Sequence, residues 1–234
     1  PPRSTLFPYT TLFRSEEDKS EEKKEEKKYK PQEMRIKVMV PKDIPHGRVL
    51  LKGARIITMN GDEILTRGDV YIENARIVQV GKSGTLKVPD GTKVMDMKGK
   101  TIIPGFVDTH AHMWPAWGIH KKQVWNYAAN LAYGVTTTRD PQTATTDVLT
   151  YSDMVDAGMM LGPRVYSTGP GVGFWAYRIT SLDHARNILK QYSDYYHTQD
   201  IKMYLVGNRQ HRQWIIQAAK EQGIMPTTEG GLDF

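Results

Sequence analysis

The sequence has no cysteine among its 234 residues. That excludes a disulfide framework, thiolate zinc sites and a cysteine nucleophile, and leaves the redox compartment open. It also has no apolar run near the roughly 18 residues needed to cross a bilayer. Its start lacks the basic, apolar and small-residue layout of a secretory signal. Charge of one sign is scarce as well: 32 Lys and Arg stand against 26 Asp and Glu, a net charge of +6. The basic residues are scattered along the chain rather than gathered in one stripe, so nucleic-acid binding is not expected. What is present is enough apolar material for a core, 39% of residues, with a mean hydropathy of −0.53. On length the chain fits one large domain or two small ones.

Composition shifts divide the chain. Residues 1–15 have no periodicity, and the run from Thr5 to Ser15 resembles the translation of a sequencing-library adapter, so these residues are expected to be foreign to the fold. Residues 16–47 form a charged linker that opens EEDKSEEKKEEKKYK, with Tyr29 as its one core-capable side chain. Disorder or a marginal exposed helix is expected there. A linker of this kind implies a further folded unit upstream.

Residues 48–103 read as short β runs of about five residues divided by Gly, Asn and Asp. The expected strands are 49–52, 54–58, 69–73, 76–80 and 93–97, with turns at Asn60-Gly61-Asp62 and Glu73-Asn74-Ala75. This predicts a small antiparallel β module. After Pro104-Gly105 the rhythm changes to strands alternating with helices over residues 104–234. Strands are expected at 106–110, 135–139, 164–168, 201–205 and 224–228. Helices are expected near 121–133, 148–160, 182–192 and after Asn208, which can cap a helix with Trp214, Ile215, Ala218 and Ala219 inward and Gly223 at its end. The alternation predicts an α/β fold with a parallel sheet, about five of the eight strands of a (β/α)8 TIM barrel. Five strands leave an unpaired edge and an open core, so the chain alone is expected to fold poorly and be inactive.

The chemistry centres on His110 and His112. Residues two apart on a strand share a face and can reach one ion together, and neutral imidazoles suit zinc and similar metals. Two bare histidines are more often solvated loop residues. Here they follow a β module, a Pro-Gly break and the first barrel-like strand, where strand C-termini line an active site.

In that context Ile103-Pro104-Gly105-Phe106-Val107-Asp108-Thr109-His110-Ala111-His112 resembles the amidohydrolase superfamily, whose members carry Pro-Gly-Phe-Val-Asp-x-His-x-His after an N-terminal β segment. The segment Gly134-Val135-Thr136-Thr137-Thr138-Arg139-Asp140 is similar to that family's second-strand signature. The resemblance runs over residues 48–234 and points to imidazolonepropionase and prolidase-like members. It implies a barrel flanked by a small β-sandwich-type module and holding one or two divalent metals, zinc foremost, that activates a water to cleave an amide or other C–N bond of a small molecule. It also implies that Lys202, at the fourth-strand position, is a carbamylated bridging ligand, since a lysine amine beside cations can take up carbon dioxide and become an anionic oxygen donor. The fifth-strand histidine of the family is replaced by Glu229, which could bind metal or act as base. The resembling bacterial forms place a TolB-like β-propeller upstream, which implies a periplasmic or exported protein.

Asp108 and Asp140 are expected to support the site or pack structurally. His46, His120, His184, His197 and His211 lack partner spacing and are expected at surface or packing positions. Aromatic loops at 113–117 and 171–177 are expected near the mouth of the site. A deaminase on the same fold and a non-catalytic binding or scaffold module are the alternatives.

Overall fold

The computed structural model describes residues 32–173 and 177–228. Two compact units are distinguished, Pro1–Met39 and Val40–Phe234. In the first, residues 32–39 are exposed and form no regular element, with Arg35 paired to Glu33.

The second unit begins with one sheet made of β1 (Arg48–Ile57), β2 (Ile64–Glu73), β3 (Arg76–Lys82), β4 (Lys93–Asp96) and β5 (Thr101–Ile102). The order is β3-β2-β1-β4, with β5 beside the end of β1. The first three strands are antiparallel, but β4 and β5 run parallel to β1. This corrects the expectation of a purely antiparallel module. β1, β2 and β3 are joined by short turns, whereas β4 follows β3 after a ten-residue connection and lies on the other side of β1, parallel to it.

The two short runs expected at 49–52 and 54–58 are one strand. Gly53 interrupts its register at a φ of 82°, and its N–H donates to the buried carboxylate of Asp69 at 2.8 Å. The other Asp69 oxygen accepts from Gly84 N at 2.8 Å. Burial would raise the Asp69 pKa, but these bonds and the Ser83 side chain outweigh it and hold the carboxylate below its ordinary range. Asn74 and Ala75 turn the β2–β3 hairpin with φ of 48° and 61°, the two positive angles that a tight two-residue hairpin turn needs. Asn tolerates this; Ala75 does so under strain.

The rest of the unit alternates: β6 (Phe106–Asp108), α1 (Trp125–Ala132), β7 (Val135–Asp140), α2 (Asp147–Asp156), β8 (Arg164–Ser167), β9 (Val172–Gly173), α3 (Leu182–Gln191), β10 (Asp200–Tyr204), α4 (Arg209–Glu221) and β11 (Met225–Thr228). Two three-stranded sheets result, β6-β7-β8 and β9-β10-β11, and every pairing within them is parallel. All five expected barrel strands are present, together with the two-residue β9. No closed barrel forms among the described residues.

Local chemistry explains the helix boundaries. Ser181 caps α3 by accepting from His184 N, and Asn208 caps α4 in a capping box with His211. Each cap contributes about 1 kcal/mol. α3 runs on into a π-helical turn, Tyr192–Tyr196, which stops at His197 with φ of 53°. Ala185, Leu189, Ile215 and Ala218 bury their faces against Ile201 and Val172 beneath the second sheet. Tyr127, Val148, Tyr151 and Val165 form the core that α1 and α2 share with the first sheet. Each large apolar side chain buried in these clusters contributes about 1.5–3 kcal/mol.

Candidate functional site

β6 stops at Asp108 and does not continue through His112. The Asp108 Oδ1 accepts from His110 N at 3.0 Å, a side-chain bond that takes a backbone donor away from the strand ladder. The histidines therefore lie on the segment just past the strand end, not on the strand as expected. They still converge. Their Nε2 atoms are 3.2 Å apart, with ring centroids at 5.1 Å and planes 67° apart. Two nitrogens on a tetrahedral zinc, each bonded at 2.0–2.1 Å, stand about 3.3–3.4 Å from one another. The observed separation is close to that spacing, and it is also a hydrogen-bonding distance between the two rings. Among the described residues no group of three or more His, Asp or Glu side chains is arranged to hold a metal.

Neighbouring elements fix the segment through its backbone. Ala111 N donates to Arg139 O at 2.9 Å, Met113 N donates to Asp140 Oδ2 at 3.3 Å, and Met113 O accepts from Asn126 Nδ2 at 2.7 Å. β7 and α1 hold it from two sides. Asp108 and Asp140 both act on this backbone. Asn126, which the sequence reading missed, carries the α1 contact.

Asp140 is 2% exposed, and burial pushes its carboxyl up to about 7 even though the Met113 N–H opposes the shift. The nearby Tyr127 hydroxyl is raised by burial and then by Asp140. A pKa higher in the folded state than in the unfolded chain means that the native state holds the proton more tightly. The associated stability is full below about pH 4, the unfolded value, and is lost as pH rises through about 7. Urea denaturation of the wild type at pH 5 and pH 8 is expected to show lower stability at pH 8, with a smaller difference in Asp140→Asn. Equal differences in the two proteins would count against this assignment.

Beyond the histidines the chain enters the loop of Trp114 and Trp117. A shallow cleft there is lined by His112, Trp114, Trp117, Asp140, Thr145 and Asp147. Trp114 stacks on His112 at 6.1 Å and 28°. Tyr151, fully buried, pins the loop to α2: its hydroxyl accepts from Lys121 N at 2.9 Å and donates to Ala116 O at 3.0 Å. His120 pairs with Asp147 at the start of α2. The Thr145 hydroxyl and then His120 hold the Asp147 carboxyl below its usual range. The sequence reading gave His120 no partner, because the two residues are 27 positions apart. A Thr-Thr-Asp helix start was the one available signal for Asp147.

Lys202 lies on β10, 1% exposed, in register with Thr227 of β11. It is on the second sheet, whereas the histidine pair follows a strand of the first. Glu229 and residues 174–176 of the second aromatic loop lie outside the described residues. His184 and His211 serve helix starts.

No family model matches the chain. Among solved structures, a Bifidobacterium longum protein assigned as a prolidase superposes with a TM-score of 0.64 at 24% identity, covering 80% of this chain and 50% of that one. The chain therefore spans about half the length of that neighbour. Among curated proteins, human dihydropyrimidinase-related protein 5 is 45% identical over 65 residues, 28% of this chain and 11% of the relative. The 5-methylthioadenosine/S-adenosylhomocysteine deaminase of Caldicellulosiruptor saccharolyticus is 36% identical over 66 residues, 27% of this chain and 15% of the relative. The prolidase, molinate hydrolase and phenylurea hydrolase structures that share this fold are members of the amidohydrolase superfamily. The resemblance read from the sequence is borne out in fold.

Proposed function

We propose that the chain is part of a divalent-metal hydrolase that cleaves an amide or other C–N bond in a small, non-peptide or dipeptide-like molecule. The observation that carries this reading is the pair of Nε2 atoms 3.2 Å apart just past the end of the first parallel strand, where barrel enzymes place their chemistry. His110 and His112 would hold the ion, with carbamylated Lys202 and Glu229 as further ligands and Glu229 as the candidate base. A bound divalent cation, zinc best matching two imidazoles, lowers the pKa of water and polarises a carbonyl. The protein's own part would be to anchor the backbone that carries both imidazoles through β7 and α1 and to border the cleft with the exposed rings of Trp114 and Trp117, which offer apolar contact.

The local identity to a deaminase supports a second reading, in which ammonia is the leaving group. A zinc-loaded full-length protein that contains this chain, assayed against N-acyl amides, aryl ureas and Xaa-Pro dipeptides, separates the two. Hydrolysis that stops on chelation and returns with zinc is the expected result. Ammonia release from an aminopurine, with every amide left intact, would select deamination. A zinc-loaded protein that turns over nothing would leave a binding or scaffold role.

A further inference from the structure

Arg139 touches both sheets. Its backbone oxygen accepts from Ala111 N at 2.9 Å, between the two histidines. Its neighbours on β7, Thr138 and Asp140, are buried, and Asp140 is turned toward Met113 of the first core. Because side chains alternate along a strand, Arg139 projects from the opposite face. There its Nε and Nη2 both donate to Asp200 Oδ2 on β10, the Nε bond at 2.7 Å, and Nη2 also reaches Thr227 Oγ1 on β11 at 3.0 Å. Both members of the ion pair are largely sheltered, at 25% and 17% exposure.

The two residues it grips are placed around Lys202. Asp200 is two residues before Lys202 on the same strand and so shares its face. Thr227 is the residue that faces Lys202 in register across β10 and β11, and its hydroxyl donates to Ile201 O at 2.7 Å. A guanidinium offers several donors in a fixed fork, so one side chain can hold a carboxylate and a hydroxyl at once; an ammonium, a point charge on a flexible stem, fixes neither direction.

We infer that Arg139 is the positioning residue that sets the histidine pair against the strand bearing Lys202. The inference rests on the proposed function for the meaning of Lys202 but not for the geometry. The backbone bond to Ala111 survives any side-chain change, so substitutions at Arg139 release the second sheet while leaving the histidine segment anchored.

The absence of native cysteine makes the test clean. Nitroxide labels on Asp153→Cys in α2 and Lys220→Cys in α4, both exposed, report the separation of the two sheets by pulsed electron paramagnetic resonance. A narrow distance distribution is expected in the parent and a broadened one in Arg139→Gln and Asp200→Asn. The double variant is expected to be no broader than either single one. The zinc dissociation constant, measured by calorimetry, is expected to rise about ten- to a hundredfold in the same variants, with partial rescue in Arg139→Lys. Should Arg139→Gln fail to fold, Thr227→Val removes one arm of the grip and is expected to broaden the distribution to an intermediate degree. An unchanged distribution in whichever of these variants folds overturns the inference. If Lys202→Ala leaves zinc affinity unchanged while Arg139→Gln still broadens the distribution, the ligand role of Lys202 falls and the positioning role stands.

Discussion

Replacing His110 with alanine is expected to weaken zinc binding by at least about a hundredfold while leaving the metal-free fold as stable as before. The affinity effect follows from the shared geometry. Four-ligand zinc sites bind with roughly 10–16 kcal/mol, about 3 kcal/mol per ligand, and that corresponds to two decades in dissociation constant. The His110 and His112 Nε2 atoms lie 3.2 Å apart, so in the proposed site losing either ring leaves a single imidazole there. The stability effect is small because both rings are exposed, and substitutions at exposed positions usually change stability by less than 0.5 kcal/mol. His110→Ala is the cleaner variant, since His112 also stacks on Trp114. Calorimetric titration with zinc, beside a chemical melt of the metal-free protein, measures the two effects separately. Wild-type affinity in His110→Ala would remove the metal centre from this segment.

Tyr151→Ala is expected to cost about 3–5 kcal/mol, the usual range for removing a large aromatic ring from a core. The ring is fully buried and packs edge-on against Tyr127, with centroids 6.4 Å apart. It also lies 5.0 Å from the ring of His120. Tyr151→Phe keeps the ring and removes the hydroxyl, leaving Lys121 N and Ala116 O without their shared partner, at a cost of about 1–3 kcal/mol. The two variants differ in what they release. The first opens a cavity between α1 and α2, and the second frees the Trp114–Trp117 loop from α2. Denaturant midpoints give the two stabilities, and tryptophan emission follows the loop. If Tyr151→Phe proves as costly as Tyr151→Ala, the ring contributes nothing and the packing account fails.

The sequence made the strand-helix rhythm legible because each element carries its own period. Ile201 and Met203 mark a buried strand, while Ile215, Ala218 and Ala219 fall on one helical face beneath the Asn208 cap. The histidine pair was legible as a motif. Its true setting was not, because Asp108 ends β6 through a side-chain bond to His110 N, which no hydrophobic pattern records. Gly53 read as a break between strands, yet it is an irregularity within one, with a buried carboxylate taking its N–H. Ile201, Lys202 and Met203 are all buried, as befits a parallel strand covered on both faces, so alternation gave no sign that the lysine is enclosed. The pairings of His120 with Asp147 and of Arg139 with Asp200 span 27 and 61 positions. Contacts at that range depend on topology and leave no local spacing to read.

The anchoring of the 110–113 backbone also bears on the thermodynamics of ion capture. Three of its N–H groups, those of His110, Ala111 and Met113, have acceptors in the protein alone. Confining each residue's backbone costs about 1–2 kcal/mol of entropy, and here folding has already met that cost, so an arriving ion need not. By reciprocity the ion favours the folded state over the unfolded chain. A free ion concentration one hundred times the dissociation constant adds about 2.7 kcal/mol to stability. With the proposed site loaded, thermal denaturation is expected to track cation supply.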